Sequence, residues 1–521
     1  MRRMVILIFT AMLICGGLIS TGAAETLETV LDKNIKALGG REALSRIKSV
    51  ISYATVEGMG MSGTQIGWVK YPFQYRAEID MGVMSQVMGF NGLTGWSIDP
   101  NGIVKRDIAE TLKPMINEMY YQSYSYALPG GNPGRTVYRG DTLIDGGKYH
   151  KLALFPEGGD SLSIYINTST GQVDFRREVI TGLLMMTSYS DFRQIEGVYI
   201  PFVMVSKTVG APYEVKGWMD SLRINENLPD SLFAIPGKSG DDFLFADGAD
   251  SVVLPFHFEN NHIQLETMIN GRGPFMFLLD SGAGMTFVAA SLADELGIKV
   301  VGEVPARGVG GYSRIGFGEI DSLNFGGLSL YLDRITILDL ETIAGGLLAD
   351  LDGVLGYDFF ARFPMKIDFV AEKMTVYHPE YENLPANGEI VPIDIFAQIP
   401  VMEGFINGQP IRLGVDLGAQ PTMVIRGNAR LYPMLKEQIG DSLGRVNMGG
   451  IGGSQSMASA IIDSLRLGRI ILEKQSVLIS EDFSGLPLPD YIEGLLGVGI
   501  MRDFRLLIDY PHGRICFERQ S

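Results

Sequence analysis

The sequence predicts a mainly β protein in which an α+β domain with a curved antiparallel sheet precedes two similar β lobes. Segments of alternating apolar and polar residues, separated by turn residues, run from about residue 49 to residue 235, as in antiparallel sheets. Four short blocks of sequence occur twice, in the same order, after residue 250. Glycine is abundant, with 65 residues, which suits strands and turns better than long helices.

The first 24 residues have the three parts of an export signal. "MRRM" supplies the positive start, "VILIFTAMLICGGLI" the apolar core, and "STGAA" the small residues before a cleavage site after Ala24. We therefore expect an exported protein of the periplasm or the extracellular space. An uncleaved segment that holds the protein at a membrane is the alternative.

The ionisable residues argue against two kinds of site. The chain has 43 basic and 60 acidic side chains, a net charge of −17, and so lacks the basic footprint that nucleic-acid binding requires. Its five histidines are scattered, and His257 and His262 are predicted to point to opposite faces of one strand. We therefore expect no nucleic-acid partner and no metal site, and interpret both histidines as surface or packing residues.

Residues 25–236 are predicted to form a helical entry followed by a long antiparallel sheet. "TLETVLDKNIKALGGREALSRIKSV" has the periodicity of one or two amphipathic helices closed by a Gly-Gly pair. This entry, the strand pair "YSDFRQIEGVYIP" and the closing "NENLPDSLFAIP" resemble the outer-membrane lipoprotein carrier and sorting superfamily. The resemblance implies a curved sheet around an apolar hollow that holds a lipid, an acyl chain or a peptide. An accessory sheet domain without a ligand is the alternative.

Two segments, lobe 1 (250–380) and lobe 2 (389–521), are copies of each other, each preceded by a segment that reads as a linker. "FLLDSGAGMTFV" aligns with "LGVDLGAQPTMV", which pairs Asp280 with Asp416. The other matches are "GVGGYS" with "GIGGSQ", "IDSLNFGGL" with "IDSLRLGRI", and "DGVLGYDFFARFPMKIDF" with "EGLLGVGIMRDFRLLIDY". Four ordered matches indicate a tandem duplication, so each lobe supplies one aspartate in the same context.

Two aspartates brought together by paired lobes suit general acid–base hydrolysis. Carboxylates about 3 Å apart cannot both ionise, so the pair shares one proton and titrates in two separated steps. The ionised partner takes a proton from a water molecule while the protonated partner hydrogen-bonds the scissile carbonyl, and no covalent intermediate forms. Asp280 and Asp416 are therefore the candidate catalytic residues.

The residues around the two aspartates have supporting roles. A glycine close after each aspartate lets the backbone approach the carboxylate and its water. The Gly-Gly pairs are predicted to form the tips of mobile hairpins, here called flaps. The predicted active-site loops contain Ser281, Gly282, Ala283, Thr286, Leu417, Gly418, Ala419 and Thr422, and the predicted flaps contain Gly310, Gly311, Gly452 and Gly453.

Together these motifs resemble the retropepsin-like aspartic proteases, with both lobes in one chain. The resemblance implies a pair of β-barrel lobes and hydrolysis of peptide bonds in an extended cleft, without a cofactor or a metal. One position departs from the family pattern, in which Thr or Ser follows each aspartate and joins a hydrogen-bond lattice beneath the pair. Ser281 fits this pattern, whereas Leu417 has no hydroxyl.

Three arrangements remain open from the sequence. The favoured one is a monomeric endopeptidase that cleaves peptides or proteins with an Asp280–Asp416 pair. The second is a homodimer in which Asp280 pairs with Asp280 of another chain and lobe 2 is structural. The third is a non-catalytic envelope protein that binds peptide or lipid with a degenerate lobe pair.

Overall fold

A computed structural model describes most of the chain from Glu25 to Gln520. Within this span the description leaves out 100, 108, 181–182, 211–213, 238–241, 309–310, 333, 341–350, 427–430, 432, 434, 437–443, 451–452 and 481–490. The predicted export signal, residues 1–24, also lies outside the described residues. In the part of the chain that is described, no helix has both the length and the apolar character needed to cross a membrane.

Helices are few and short, and strands make up the larger part of the described fold. The first helix begins with a capping box in which the side chains of Thr26 and Thr29 each accept a hydrogen bond from the other's backbone N–H. The helices are α1 (Leu27–Ala37), α2 (Arg41–Arg46), α3 (Ala109–Gln122), α4 (Ala290–Leu296), α5 (Tyr357–Phe360) and α6 (Val498–Met501), with 3-10 turns at Asp230–Phe233 and Ala246–Gly248. The predicted mainly β class is confirmed.

The N-terminal part of the chain forms one sheet of 13 strands. They are β1 (Ser49–Gly58), β2 (Met61–Lys70), β3 (Gln74–Asp80), β4 (Ser85–Phe90), β5 (Gly95–Ile98), β6 (Val104–Arg106), β7 (Gly134–Ile144), β8 (Gly147–Pro156), β9 (Leu162–Asn167), β10 (Val173–Ile180), β11 (Leu183–Ile195), β12 (Val198–Thr208) and β13 (Glu214–Ile224). Neighbouring strands run antiparallel, and the pairing of β1 with β13 joins two meanders, β1–β6 and β7–β13. Val30 of α1 and Tyr120 of α3 pack with the β8 and β9 residues Leu152 and Ile164 in a buried cluster, so helices cover part of this sheet.

Lobe 1 and the segment before it contribute 14 strands in the described residues. They are β14 (Phe243–Phe245), β15 (Ser251–Pro255), β16 (His257–Glu259), β17 (His262–Ile269), β18 (Arg272–Leu279), β19 (Phe287–Ala289), β20 (Val301–Gly308), β21 (Gly311–Gly318), β22 (Leu323–Asn324), β23 (Leu328–Leu330), β24 (Ile335–Leu338), β25 (Gly353–Leu355), β26 (Met365–Asp368) and β27 (Lys373–Tyr377). Eleven of them, β14 and β16–β25, form one sheet. Because β14 pairs with β23, part of the segment interpreted as a linker is a packed strand of this sheet.

Lobe 2 repeats this plan. Its described strands are β28 (Glu389–Pro392), β29 (Asp394–Phe396), β30 (Ile399–Ile406), β31 (Gln409–Asp416), β32 (Met423–Arg426), β33 (Gly444–Gly450), β34 (Gly453–Leu467), β35 (Ile470–Ser480), β36 (Gly494–Gly497), β37 (Phe504–Asp509) and β38 (Arg514–Arg519). Eight of these strands, β29–β36, form the sheet of the lobe.

A sheet of six strands joins the lobes, in the order β15, β27, β26, β37, β38, β28. At its centre β26 pairs antiparallel with β37, with Met365 opposite Ile508. These two strands come from the same block of the repeat, so the duplicated lobes associate through equivalent elements. One continuous apolar core includes buried residues of both lobes.

The N-terminal sheet packs directly on lobe 1. The buried guanidinium of Arg362 donates to Asp242 at 2.8 Å and to the carbonyl oxygen of Asn101 at 2.8 Å. The side-chain amide of Asn101 donates to Asp358 at 2.7 Å. Met61, at the start of β2, belongs to the lobe core cluster, and a methyl group placed on Gly302 of β20 would collide with its side chain. The connection is therefore both polar and apolar.

Candidate active site

Each candidate aspartate lies at the end of a central strand or directly after it. A second strand runs parallel beside that strand in the same sheet. Asp280 follows β18, which pairs with β25, and its N–H donates to the carbonyl of Leu355 at 3.0 Å. Asp416 ends β31, which pairs with β36 so that Asp416 lies opposite Gly497. The "VLG" and "LLG" strands thus lie beside the aspartate strands and support the loops.

The two loops bring the carboxyl groups of Asp280 and Asp416 close together. The glycine of each loop lies against the carboxyl group of the other loop. A methyl group placed on Gly282 would lie 2.6 Å from Cγ of Asp416, and one on Gly418 would lie 2.4 Å from Cγ of Asp280. No side chain fits at either position, so both glycines are required for the carboxyl groups to approach.

The two loops hold their own carboxylates in the same way. The N–H of Gly282 donates to Oδ1 of Asp280 at 2.7 Å, and the N–H of Gly418 donates to Oδ1 of Asp416 at 2.9 Å. These bonds orient one oxygen of each carboxyl group.

Burial raises the pKa of both carboxyl groups. For Asp416, burial is the largest cause and the charge of Asp280 adds to it, so its pKa lies well above the ordinary value. For Asp280, burial also raises the pKa, while hydrogen bonds from Asp416 and from the N–H of Gly282 limit the rise. The pair therefore keeps one proton well above the pH at which a solvated aspartate loses it, and the two carboxyl groups share that proton.

Ser281 connects lobe 1 to the backbone beneath Asp416. Its buried hydroxyl accepts a hydrogen bond from the N–H of Leu417 at 2.9 Å and donates to the carbonyl of Val415 at 2.8 Å. One side chain thus fixes the backbone on both sides of the second aspartate. This is the lattice that the serine or threonine after each aspartate was expected to form.

Leu417 gives no such contact in return, as its side chain predicts. It is fully buried in the apolar core shared by the lobes, so its position is used for packing. On the opposite side, the hydroxyl of Tyr510 lies 3.4 Å from the carbonyl oxygen of Ser281 and can donate to it. The lattice is therefore one-sided, and the geometry of Asp416 depends on Ser281.

The remaining loop residues anchor the loops to the strands and helices behind them. The carbonyl oxygens of Ala283 and Ala419 accept from the N–H groups of Tyr357 and Val498, each at 2.9 Å. The hydroxyl of Thr286 accepts from the N–H of Gly356 at 3.2 Å. Thr422 acts through its carbonyl instead, which accepts from Gly497 at 3.0 Å.

One glycine of each Gly-Gly pair, Gly311 in lobe 1 and Gly453 in lobe 2, is described and opens the second strand of a hairpin. In lobe 1, β20 and β21 pair antiparallel up to Gly308 opposite Gly311. In lobe 2, β33 and β34 pair up to Gly450 opposite Gly453. Gly310 and Gly452 lie outside the described residues. The flap role of both glycine pairs remains a prediction.

His262 is a site residue that sequence reasoning missed. It is buried, and its Nε2 lies 3.3 Å from the carbonyl oxygen of Gly418 in the opposite lobe, so it is more than the surface or packing residue expected. The turn before it also reaches lobe 2, since the side-chain amide of Asn261 donates to the carbonyl of Gln420 at 3.2 Å. The equivalent position of lobe 2, which opens β30, is the apolar Ile399, and this polar-for-apolar difference between the repeats was the available signal.

Comparison with known proteins supports the family resemblance of lobe 1. A family model described as aspartyl protease matches residues 265–359, which include Asp280 and its loop. No curated protein shows significant similarity to the chain.

Similar solved structures include three bacterial proteins. One is a domain named as an outer-membrane lipoprotein-sorting protein from Vibrio parahaemolyticus, with 10% identity and a TM-score of 0.28, covering 40% of this chain and 95% of its own. The second is a DUF1329 family protein from Desulfovibrio piger, with 13% identity and a TM-score of 0.30, covering 40% of this chain and 98% of its own. The third is a LolA superfamily protein from Nitrosomonas europaea, with 14% identity and a TM-score of 0.31, covering 40% of this chain and 98% of its own. By the family match, residues 265–359 form an aspartyl-protease-like domain.

Proposed function

We propose that this protein is an exported aspartic endopeptidase that hydrolyses peptide bonds with a dyad made of Asp280 and Asp416 of one chain. The observation that carries the proposal is the close approach of the two loops, in which the glycine of each loop lies against the carboxyl group of the other. Raised pKa values of both carboxyl groups support it. A dyad within one chain needs no second copy, which favours a monomer over the homodimer. The lobe that contains Asp416 is then part of the catalytic machinery.

The proposed reaction uses the two carboxyl groups as base and acid. Ionised Asp280 takes a proton from a water bound between the aspartates, and the resulting hydroxide attacks the scissile carbonyl carbon. Protonated Asp416 donates a hydrogen bond to the carbonyl oxygen as negative charge develops there. Asp280 then passes the proton that it took from water to the nitrogen of the leaving amine, and the C–N bond breaks.

The buried surroundings favour this division of roles. A carboxylic acid that stays protonated at mildly acidic to neutral pH can donate the hydrogen bond that the reaction requires. Burial and the charge of Asp280 both raise the pKa of Asp416, which supports its role as the protonated partner. His262, near Asp280, adds a polar group at the edge of the pair.

Export to the periplasm or the extracellular space is part of the proposal, on the basis of the basic and apolar segments before Ala24. The N-terminal sheet would then bring a lipid, an acyl chain or a peptide to lobe 1, on which it packs. A protein that only binds peptide is the alternative function, and one assay separates the two.

In the assay, residues 25–521 are incubated with denatured casein at pH values from about 3 to about 8. The products are identified by mass spectrometry. The wild type is expected to release peptides at internal sites. Asp280→Asn is expected to release none, while Asp321→Asn, an exposed aspartate of the same lobe, keeps the activity. Failure of the wild type to cleave at any pH, with casein peptides still bound, would establish the binding function instead.

A further inference from the structure

The duplication allows each lobe to be compared with the other, position by position, beyond the dyad. Counted from the aspartates, Gln420, Pro421 and Thr422 correspond to Gly284, Met285 and Thr286. In the "LG" blocks, Gly499 of lobe 2 corresponds to Asp358 of lobe 1. The two sides of the cleft differ at these positions.

On the lobe 1 side, the space behind the loop is filled. Asp358 accepts a hydrogen bond from the N–H of Thr286 at 2.8 Å through Oδ2, and its Oδ1 accepts from Asn101 of the N-terminal sheet at 2.7 Å. The ammonium group of Lys105 lies 4.2 Å from the centre of the Tyr357 ring. The N-terminal part of the chain thus closes this side.

On the lobe 2 side, the loop lies directly against Gly499. A methyl group placed on Gly499 would lie 2.8 Å from Cα of Thr422, so no side chain fits at the position equivalent to Asp358. A cavity of about 370 Å³ lies beside the loop, lined by Gln420, Thr422 and Met423. A second cavity of about 460 Å³ continues past Gln420.

The first cavity lies between the two elements that would enclose a peptide. One wall is the loop that begins at Asp416, and another includes Val446 of β33, a strand of the hairpin that ends at Gly450. A substrate held between the loop and this hairpin would place a side chain in the cavity. Cavities of this size hold an amino-acid side chain with room for water.

The charge of the cavities is positive in a chain with a net charge of −17. Arg502 lines both cavities, and among the described residues that line them it is the only ionisable one. Its Nη1 donates to Oδ1 of Asn261 at 2.8 Å, which orients the guanidinium. A guanidinium has five N–H donors, so this bond is compatible with a second, charge-assisted contact to a carboxylate.

We propose that the cavity beside Thr422 and Arg502 is a substrate subsite that binds the side-chain carboxylate of a glutamate or aspartate. The inference rests on the proposed function, because it places a peptide in the cleft. The preference for an acidic residue falls on the lobe 2 side of the scissile bond, because lobe 1 has at the position of Gly499 the carboxylate of Asp358, which already accepts a hydrogen bond from Thr286.

The test uses quenched fluorescent decapeptides with a common apolar centre, in which Glu, Gln or Lys occupies each outer position in turn. For the wild type, Glu at one position on one side of the cleaved bond is expected to raise kcat/KM about tenfold over Gln. Arg502→Glu is expected to reverse the order at that position, so that Lys becomes better than Glu. Arg519→Glu, an exposed arginine near the end of the chain, is the matched control and keeps the wild-type order.

Binding of the same peptides to Asp280→Asn, followed by fluorescence anisotropy, separates this inference from the proposed function. If no variant cleaves but Glu peptides bind better and Arg502→Glu removes that advantage, the subsite stands and the protease function falls. If the wild type cleaves without a charge preference, or with one that Arg502→Glu does not change, the subsite is overturned and the protease function stands. If peptides neither bind by charge nor are cleaved, both are overturned.

Discussion

The hydroxyl of Ser281 accepts a hydrogen bond from the backbone N–H of Leu417, 2.9 Å away in the other lobe. Because the same hydroxyl donates to Val415, a single side chain of lobe 1 positions the backbone around Asp416. Leu417 packs in the core and offers no equivalent bond to lobe 1. The duplicated site has therefore kept two aspartates but only one of the two hydroxyl groups beneath them.

Removal of the Ser281 hydroxyl is expected to lower both the stability of the fold and the activity of the Asp280–Asp416 pair. In Ser281→Ala, the N–H of Leu417 and the carbonyl of Val415 lose their buried partner, which costs about 1–3 kcal/mol of unfolding free energy. We expect a loss of kcat/KM on casein peptides of about tenfold or more, measured beside urea unfolding. Ser281→Thr keeps the hydroxyl and should retain both properties; an equal loss in the two variants would contradict the role of the lattice.

The raised pKa of the pair predicts how stability changes with pH. The folded protein keeps a proton at pH values where an unfolded aspartate, with a pKa of about 3.9, has released it. The stabilisation from this proton is complete below that pH and is lost as the pH rises through the raised pKa of Asp416. Asp416→Asn does not titrate, so its melting temperature relative to wild type should increase from about pH 4 to about pH 8.

Differential scanning calorimetry at closely spaced pH values gives this difference directly. Asp463→Asn, an exposed aspartate of the same lobe, is the control and should show a nearly constant difference. A difference that shrinks as the pH rises would mean that the pair is not held in the protonated state described above.

His262 is expected to make the fold sensitive to acid. Burial lowers its pKa below the ordinary value, although the carbonyl of Gly418 acts in the opposite direction. An unfolded histidine binds a proton near pH 6.5, so this residue favours unfolding increasingly as the pH falls below about 6.5. His262→Gln should lose less stability than wild type between about pH 6.5 and about pH 5, measured by urea unfolding. A steeper loss in the variant would contradict the buried, neutral histidine.

Arg362 is expected to fasten the N-terminal sheet to lobe 1. Its substitution by alanine leaves Asp242 and the carbonyl of Asn101 without their buried donor, at a cost of about 3 kcal/mol. Limited proteolysis should then cut between the sheet and lobe 1 faster than in wild type. Arg193→Ala removes an exposed ion pair and should leave the free energy of unfolding nearly unchanged. An equally small effect of Arg362→Ala would show that the sheet is held by other contacts.

Much of the fold could be predicted because it follows from local sequence patterns. Alternating segments and turn residues indicate the long antiparallel sheet, and the repeated blocks indicate that the two lobes share one plan. The same comparison shows that Asp280 and Asp416 are equivalent. Asp368 and Asp509, which recur in the repeat, accept hydrogen bonds from Arg505 and Arg514.

The contacts between distant segments could not be predicted from one sequence. Periodicity shows which face of a strand is buried but not which strand lies against it, so the joining of β26 to β37 was not foreseen. Nor was the packing of Asn101 and Lys105 on lobe 1, since nothing in their local sequence marks a partner more than 200 residues away. His262 was missed for the same reason.

The dyad within one chain is tested most directly by kcat/KM of Asp416→Asn on a casein-derived peptide that the wild type cleaves. The proposed mechanism predicts a loss of about 10³-fold or more, equal to that of Asp280→Asn, because either change removes half of the acid–base pair. Retention of wild-type activity by Asp416→Asn, together with loss in Asp280→Asn, would contradict the intrachain dyad. The homodimer that pairs Asp280 with its own copy would then be the active form.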